Sequence, residues 1–276
     1  MMSTKQLFVL GAGYVGQALL SGLKSHDYLL HASTTTSEKV EELKSLAQHV
    51  WLMRGSDKDQ LRHIIAQCDA MIVLVAPSSR EKYVETYLAT AEAISGALKE
   101  LEKPFYLLYT SSTSVYEGSS AVEWTREDVA LQPPSANARA LLDAENIYLH
   151  CAPAQVNTCV LRLGGIYGPG RDLEKRARQF AGQEMTGTGL ELTNHIHLQD
   201  ILGAIEFCLK ASLSGIYNLV NDAHPTRQVL YDGLCQKMGL PLPLWKGQMA
   251  AVKSGGYKVS NEKIRSAGYV FQLNAM

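Results

Sequence analysis

The sequence predicts an α/β protein, a doubly wound Rossmann-type parallel sheet with a smaller C-terminal substrate lobe. Two observations lead to this prediction. Short apolar runs alternate with segments of helical periodicity along most of the chain, and this alternation is typical of a parallel sheet with helices on both faces. In addition, the stretch LFVLGAGYVGQALL at 7–20 predicts a strand, a glycine-rich turn and a helix.

Composition limits the function classes. The 276 residues are 46% hydrophobic, which suffices for a large α/β domain or for one with a smaller companion. The net charge of -1 comes from 26 basic and 27 acidic residues without a long run of like charge, and this argues against nucleic acid and membrane surfaces as partners. The chain enters its first strand almost directly, and no apolar run reaches the roughly 18 residues of a membrane helix. We expect a cytoplasmic protein, a monomer or homodimer, that acts on a small molecule.

The cysteine and histidine spacings favour neither a metal site nor a disulfide framework. No two cysteines form a Cys-x-x-Cys pair, so all five are interpreted as small core residues. His195 and His197 would share one face of a strand, but no third ligand is evident, which favours structural histidines bonded to backbone. The cysteines are Cys68, Cys151, Cys159, Cys208 and Cys235.

The glycine-rich turn after the first strand predicts a dinucleotide site. Gly11 permits the tight turn, Gly13 lets a pyrophosphate approach the backbone, and Gly16 lets the helix pack against the strand. Tyr14 and Val15 begin the helix, whose N-terminal N–H groups suit phosphate. The alternative is a βα turn with a structural role alone.

The second βα turn predicts which dinucleotide binds. A strand over Tyr28–Ser33 is followed by hydroxyl residues, and no acid lies within 33–37 to hold a ribose 2′-hydroxyl as in NAD sites. Hydroxyls, a helix N-terminus and Lys39 suit a 2′-phosphate, which favours NADP over NAD. The alternative is that Ser37 only caps a helix that extends to Leu46 and that the site is indifferent. The hydroxyl residues assigned to the cofactor here are Ser33, Thr34 and Thr35.

Three more strands and two helices complete this half of the chain. The fourth strand is an unbroken apolar run, as in a sheet that is buried on both faces. Its end, Val75, Ala76 and Pro77, is assigned to the cofactor wall. The predicted strands are Val50–Met53, Ala70–Val75 and Phe105–Tyr109, and the predicted helices are Asp57–Ile65 and Glu81–Glu100.

Five consecutive hydroxyl residues, Thr110–Ser114, follow the fifth strand. They lie at its carboxyl end, where open α/β sheets bind ligands. We assign Thr110 and Ser111 to the cofactor and Thr113 to the substrate.

The remaining segments predict where the lobes divide. Residues 1–165 form the dinucleotide domain, to which a strand at 215–220 returns, and 166–276 form most of the smaller lobe. Ser135 is predicted to cap a helix that ends at His150. The other predicted elements are a strand at Thr158–Leu163 and helices at Asp200–Lys210 and Arg227–Met238.

Six stretches, GAGYVG, YTSSTSVYEG, LRLGGIYGPGR, HIHLQD, GIYNLVND and VSNEKIR, carry a resemblance that covers nearly the whole chain. In this order they resemble the extended and atypical short-chain dehydrogenases/reductases, the NAD(P)-dependent epimerase/dehydratase family, and within it the YeeZ-like group. The resemblance implies hydride transfer between a nicotinamide and a sugar or alcohol carbon, with Ser or Thr, Tyr and Lys as acid–base groups. It places the serine at Ser112, and Leu163, Gly164 and Ile166 in the nicotinamide wall.

The match breaks where the family has its Tyr-x-x-x-Lys pair. Asn137 and Leu141 occupy these two positions, and neither an amide nor an alkyl chain can exchange a proton near neutral pH. Arg139 and Arg171 are candidates to bind an anionic substrate group. Gly165 lies where the family often has an asparagine near a sugar diphosphate, which weakens the case for a nucleotide sugar.

Two functions fit this pattern. The first is an NAD(P)-binding oxidoreductase or epimerase that acts on a small hydroxylated or carbonyl compound, with sugar derivatives among the candidates. The second is a non-catalytic NAD(P)-binding sensor or regulatory partner protein.

Overall fold

The computed structural model describes residues 4–24, 28–77, 79, 81–119, 123–150, 153–247 and 256–273. The strands are β1 (Lys5–Leu10), β2 (Tyr28–Thr34), β3 (His49–Leu52), β4 (Ala70–Val73), β5 (Phe105–Ser112), β6 (Val156–Leu163), β7 (Gly165–Tyr167), β8 (Glu184–Met185), β9 (His195–His197), β10 (Gly215–Leu219) and β11 (Leu244–Trp245). The α-helices are α1 (Tyr14–Leu23), α2 (Val40–Leu43), α3 (Lys58–Gln67), α4 (Tyr83–Lys99), α5 (Ala136–His150), α6 (Leu173–Phe180), α7 (Leu198–Ala211), α8 (Arg227–Lys237) and α9 (Glu262–Ser266). Short 3-10 helices cover Ser37–Lys39 and Thr113–Tyr116.

Seven strands form one parallel sheet in the order β10-β6-β5-β4-β1-β2-β3. The chain builds outward from β1 to β3 on one side and from β4 to β10 on the other, so the order reverses between β1 and β4. This is the doubly wound arrangement, and the predicted fold class is confirmed. Within the described part of the chain, no helix is both long and apolar enough to cross a bilayer.

Contacts divide the chain into two units, each assembled from separated segments. The first unit contains Met1–Ser111, Arg139–Leu161 and Leu202–Ile216. The second contains Ser112–Ala138, Arg162–Ile201 and Tyr217–Met276. The chain passes between these units several times. The division into a dinucleotide domain over 1–165, to which 215–220 returns, and a smaller lobe over most of 166–276 remains a prediction.

The core of the first unit forms where helices pack on the sheet. In β4, Met71 and Val73 are fully buried, as the unbroken apolar run predicts. Ile64 of α3 and Ile94 of α4 belong to the same cluster and are also fully buried. Each such side chain contributes roughly 1.5–3 kcal/mol by leaving water, so these contacts hold the strand ends in place.

The second unit has a smaller apolar cluster of its own. Leu173 and Ala177 of α6 pack with Leu230, Tyr231 and Cys235 of α8. Four of the cysteines, Cys68, Cys159, Cys208 and Cys235, are buried and unbridged, as expected of core residues. Cys151 lies outside the described residues.

Several predicted element boundaries differ from the structure, and two of them differ by three residues. Strand β5 continues to Ser112 instead of ending at Tyr109, because its hydroxyl residues tolerate the extended backbone and Thr110 Oγ1 donates to Val73 O at 3.2 Å. The helix expected to reach Leu46 ends at Leu43, where Ser45 Oγ donates to the Glu42 carbonyl and competes with helical bonding.

His31 is a buried titratable group in the middle of β2, the strand beside the edge strand β3. It is 1% exposed, its Nε2 donates to Gln6 Oε1 at 3.0 Å, and its ring lies 4.6 Å from that of His49. Burial, aided by the charge of His49, lowers the pKa of His31 from 6.5 to about 4. The unfolded chain therefore binds a proton at this residue between pH 6.5 and 4, and the folded protein does not.

We expect the free energy of unfolding to fall as the pH drops from 6.5 to 4, by at most about 3 kcal/mol from His31. Urea unfolding at pH 7.5 and pH 5 measures this difference. His31→Leu should reduce the pH dependence, whereas His63→Gln, a change at an exposed position, should retain it. An unchanged pH dependence in His31→Leu would show that other groups cause it.

Candidate functional site

A cavity of about 460 Å³ lies in the first unit at the carboxyl ends of β1, β2, β3 and β4. This is the edge of an open α/β sheet at which ligands bind, and it includes the point where the strand order reverses. The lining residues are Leu10–Gly13, Ser33–Thr36, Lys39, Met53–Ser56, Leu74–Ala76, Lys82, Glu85, Thr86, Ala89 and Thr90.

Three glycines in the segment that leads from β1 into α1 have three different structural roles. Gly11 has φ +99°, and a Cβ there would lie 2.9 Å from the Leu74 carbonyl oxygen. A Cβ on Gly16 would overlap the Gly11 carbonyl, so this glycine permits the helix to approach the turn. A Cβ on Gly13 would meet no atom within 4 Å and would point into open space. The space beside Gly13 is what a pyrophosphate needs for close approach to the backbone.

Ser33 holds the glycine turn in position. The Gly11 N–H donates to Ser33 Oγ at 3.0 Å, and the Ala12 N–H donates to the Ser33 carbonyl at 2.8 Å. Ser33 is 2% exposed. The Ser33 hydroxyl is therefore hydrogen-bonded to the turn, and Ser33 stabilises the backbone of the predicted cofactor site.

The side chains beyond β2 and β3 give this part of the cavity a positive charge. Thr34 is buried, and its Oγ1 accepts from the Thr36 N–H at 3.1 Å, which stabilises the turn before the 3-10 helix. Thr35 is exposed and available to a ligand. Of the charged residues described around the cavity, Lys39, Arg54 and Lys82 are basic and Glu85 is acidic.

Some of the residues that line this cavity were predicted from the sequence, and others were not. Of the residues assigned to the cofactor, Gly11, Gly13, Ser33–Thr35, Val75 and Ala76 line the cavity, whereas Tyr14, Val15, Gly16 and Pro77 do not. Their contact with a cofactor remains a prediction. Arg54 was not predicted, although it closely follows the carboxyl end of β3 and ligand-binding residues of open α/β sheets lie at such strand ends. Lys82, Glu85 and Thr90 lie at the start of α4 or within it, and no sequence pattern indicated that they would line a cavity. Thr110 and Ser111 belong to β5 and are not in the lining.

In the second unit, Ser112 begins the turn that contains the predicted substrate residues. Ser112 Oγ accepts from the Ser114 N–H at 3.1 Å and donates to Ser114 Oγ at 3.0 Å. Thr113 is buried, and its carbonyl accepts from the Tyr257 hydroxyl at 3.0 Å. Burial, with a smaller contribution from Glu117, raises the pKa of Tyr257, which therefore remains protonated at neutral pH.

Tyr116 is a structural tyrosine. Its hydroxyl donates to Asn218 Oδ1 at 2.7 Å and accepts from Arg162 Nη1 at 2.8 Å. Burial raises the pKa of Tyr116 to about 12, although Arg162 opposes the shift. With both bonding directions used and no exposed surface, the Tyr116 hydroxyl is not available as an acid–base group.

Asn137 and Leu141, which the resemblance places at the family's tyrosine and lysine positions, have different surroundings. Asn137 is exposed in the first turn of α5, and Leu141 is 1% exposed. The cap prediction is correct, because Ser135 Oγ accepts from the Ala138 N–H at 3.2 Å. The two arginines assigned to substrate, Arg139 and Arg171, are both exposed.

The segment after β6 is packed tightly against β9. A Cβ on Gly164 would lie 2.8 Å from the Asn194 carbonyl, and one on Gly165 would lie 3.0 Å from the His195 ring. Leu163 is buried and Ile166 is partly buried. These residues therefore have packing roles, and their assignment to a nicotinamide wall remains a prediction.

The histidine pair lies in a strand, β9, as its spacing suggests. His197 Nδ1 accepts from the Gln199 backbone N–H at 3.1 Å. His195 is buried, and burial lowers its pKa to about 4, with a smaller contribution from Arg176. Among the described residues, no group of three or more His, Cys, Asp or Glu side chains could hold a metal ion.

Comparison with known proteins agrees with this geometry. The model of the NAD dependent epimerase/dehydratase family matches residues 7–219. Over 268 residues, the chain is 30% identical to Protein YeeZ of Escherichia coli (strain K12), with 94% of each chain covered.

Solved structures show the same fold. A conserved protein of unknown function from Silicibacter pomeroyi DSS superimposes with a TM-score of 0.77 at 20% identity, covering 99% of this chain and 95% of that one. The dTDP-glucose 4,6-dehydratase of Bacillus anthracis strain Ames, determined in complex with NAD, has a TM-score of 0.78 at 17% identity, covering 98% and 94%.

The open space beside Gly13 leads to a specific prediction. Gly13→Val should abolish dinucleotide binding without lowering the thermal unfolding midpoint, because the new side chain enters only the space that a pyrophosphate would occupy. Calorimetric titration with NADP⁺ measures the binding. Gly16→Val is the matched control and should lower the unfolding midpoint, since its side chain overlaps the Gly11 carbonyl. Unchanged affinity in Gly13→Val would contradict this assignment.

Proposed function

We propose, from the premise that the chain belongs to the NAD dependent epimerase/dehydratase family, that it is an NADP-binding oxidoreductase or epimerase acting on a small hydroxylated or carbonyl compound. The observation that carries the proposal is the cavity at the strand ends, in which the glycine turn leaves space for a pyrophosphate. The residues present fit a dinucleotide, with Gly11–Gly13 at the pyrophosphate and the 33–36 turn at the ribose. When bound, the nicotinamide would supply or accept a hydride.

The charges of the cavity support NADP over NAD. Lys39 and Arg54 both line it beside the end of β2, where the ribose is read in this kind of site. An ionised 2′-phosphate would gain two charge-assisted contacts there. No acid occupies 33–37 to repel that phosphate.

The substrate in this proposal is small and need not carry a nucleotide. A dTDP-glucose dehydratase shares the fold, but at this identity its substrate does not transfer. Gly165 lacks the side chain with which the family often contacts a sugar diphosphate, and its own Cβ space is limited by the His195 ring. Arg139 and Arg171 each remain a candidate to bind an anionic substrate group.

The second candidate function is a non-catalytic NADP sensor. It is supported by the resemblance, which places Asn137 and Leu141 at the family's tyrosine and lysine positions. A sensor would bind the dinucleotide through the same cavity and transfer no hydride to any carbonyl compound.

Replacing the two cavity cations should change cofactor preference. We expect Lys39→Ala and Arg54→Ala each to weaken NADP⁺ binding roughly tenfold, because each removes one exposed charged contact to the 2′-phosphate. NAD⁺ affinity should stay the same, and Lys58→Ala, outside the lining, should change neither. Calorimetry with both dinucleotides measures the ratio. Equal losses for NADP⁺ and NAD⁺ would show that these residues do not read the ribose.

Single-turnover oxidation of bound NADPH with small hydroxy carbonyl compounds distinguishes the enzyme from the sensor. We expect slow but measurable hydride transfer, which the double variant Asn137→Tyr, Leu141→Lys should accelerate by about 10²–10⁴-fold if the pair is positioned correctly. Because Leu141 is 1% exposed, the lysine should also lower the unfolding midpoint, so rates must be measured well below it. Absence of any transfer in the wild-type protein, with NADPH bound, would favour the sensor.

A further inference from the structure

The imidazole of His195 is buried without hydrogen bonds to the described protein. The residue is 4% exposed, and its Nδ1 is buried with no partner among the described residues. No described group bonds to its Nε2 either, so the prediction of a histidine bonded to backbone is wrong for His195. A buried polar ring in this state destabilises the fold unless another molecule supplies the missing partner.

The Nε2 edge of the His195 ring faces the exposed backbone of Gly165. The two residues are partners in the parallel register of β7 and β9. A Cβ on Gly165 would lie 3.0 Å from Cδ2 and 3.4 Å from Nε2 of His195. Gly165 is exposed, so the absence of a side chain there leaves this edge of the ring open to a small molecule. A proton on Nδ1 would be a buried donor without an acceptor, so the proton of the neutral ring belongs on Nε2, where it can be donated to a ligand.

His197 presents a second donor on the same face of the β7–β9 pair. Residues two apart in a strand share a face, so His197 lies on the same side as His195. His197 Nδ1 accepts from the Gln199 N–H at 3.1 Å, which leaves the proton of its neutral ring on Nε2. The Tyr167 ring contacts both imidazoles edge-on, with its centroid 6.2 Å from that of His195 and 5.0 Å from that of His197. These contacts hold both imidazoles in place.

Arg176 adds a positive charge near these donors. It is exposed in α6, and no carboxylate of the described residues forms an ion pair with it. Its charge contributes, after burial, to the lowered pKa of His195, which places the guanidinium in the neighbourhood of the ring. The guanidinium would repel a metal ion. An oxyanion, in contrast, can accept from the guanidinium and from both Nε2–H groups.

We propose that His195, His197 and Arg176 form an oxyanion site that binds the carboxylate or phosphate group of a small molecule. The two imidazoles donate hydrogen bonds, the guanidinium supplies the opposite charge, and Gly165 leaves the access open. All of these residues belong to the second unit, so the site contains no residue of the dinucleotide cavity. The proposal therefore goes beyond NADP binding and does not depend on it.

Glycerol 3-phosphate, glycerate and glycerol test the proposal, because they differ in the anionic group. Titration followed by NMR of the histidine ring nitrogens measures the affinity and also shows which nitrogen carries the proton. Both anions should bind and shift the Nε2 signals of His195 and His197, and glycerol should not. Tighter binding of glycerol 3-phosphate would identify a phosphate monoester as the ligand, and tighter binding of glycerate would identify a carboxylate. Equal shifts with all three compounds, or with none, would overturn the proposal.

Variants distinguish an anion site from a histidine with a structural role alone. Arg176→Gln should weaken binding of the tighter anion about tenfold, whereas Arg178→Gln, at an exposed position of the same helix, is the matched control and should leave the affinity unchanged. His195→Leu should weaken binding by a similar factor. It should also raise the thermal unfolding midpoint by about 2–4 °C, because it removes a buried polar group that has no partner. His195→Gln supplies a donor again and should retain part of the affinity.

A structural histidine gives the opposite result. A lower unfolding midpoint in His195→Leu together with unchanged anion affinity would overturn the proposal. If His195→Leu does not fold, Arg176→Gln decides, and equal anion affinity in Arg176→Gln and Arg178→Gln would overturn the proposal. NADP⁺ affinity should be the same in all of these variants, so a failure of the oxyanion site is separate from a failure of the dinucleotide site.

Discussion

The candidate site depends on two hydrogen bonds between the glycine turn and the end of β2. Ser33 accepts from the Gly11 N–H through its hydroxyl and from the Ala12 N–H through its carbonyl. Gly11 can occupy this position because it adopts φ +99° beside the Leu74 carbonyl. The turn is therefore held between the ends of β2 and β4, the two strands that flank β1. The cavity lies at these strand ends. A turn that is already held in place can bind phosphate without the free-energy cost of ordering a loop.

The glycine turn could be predicted from the sequence because its geometry is local. The spacing of Gly11, Gly13 and Gly16 determines which backbone atoms come together, whatever the rest of the chain does. The family resemblance and the fold class are confirmed for a similar reason, since ordered motifs and strand alternation extend over most of the chain. Ser33 was assigned to the cofactor, but its bond to Gly11 spans 22 residues and becomes visible only when β1 and β2 pair.

Features that depend on tertiary contacts could not be predicted from the sequence. Arg54 reaches the cavity because β3 pairs with β2, and Glu85 reaches it because of how α4 packs. The hydroxyl run was expected beyond the end of β5, yet Thr110 lies within the strand, since β-branched side chains suit an extended backbone. The hydrogen bond from Ser135 to Glu117 likewise depends on contacts between separate segments, because Gly118 lies close to Pro134.

Backbone amide NMR during titration with NADP⁺ tests the central claim most directly, because it locates the bound dinucleotide along the chain. The structure predicts that the largest chemical-shift changes occur at Gly11–Gly16, at 33–36 and at 54–56, with smaller changes in the core strands. Changes confined to other residues, or no changes at saturating NADP⁺, would contradict a dinucleotide site at the ends of β1, β2 and β3.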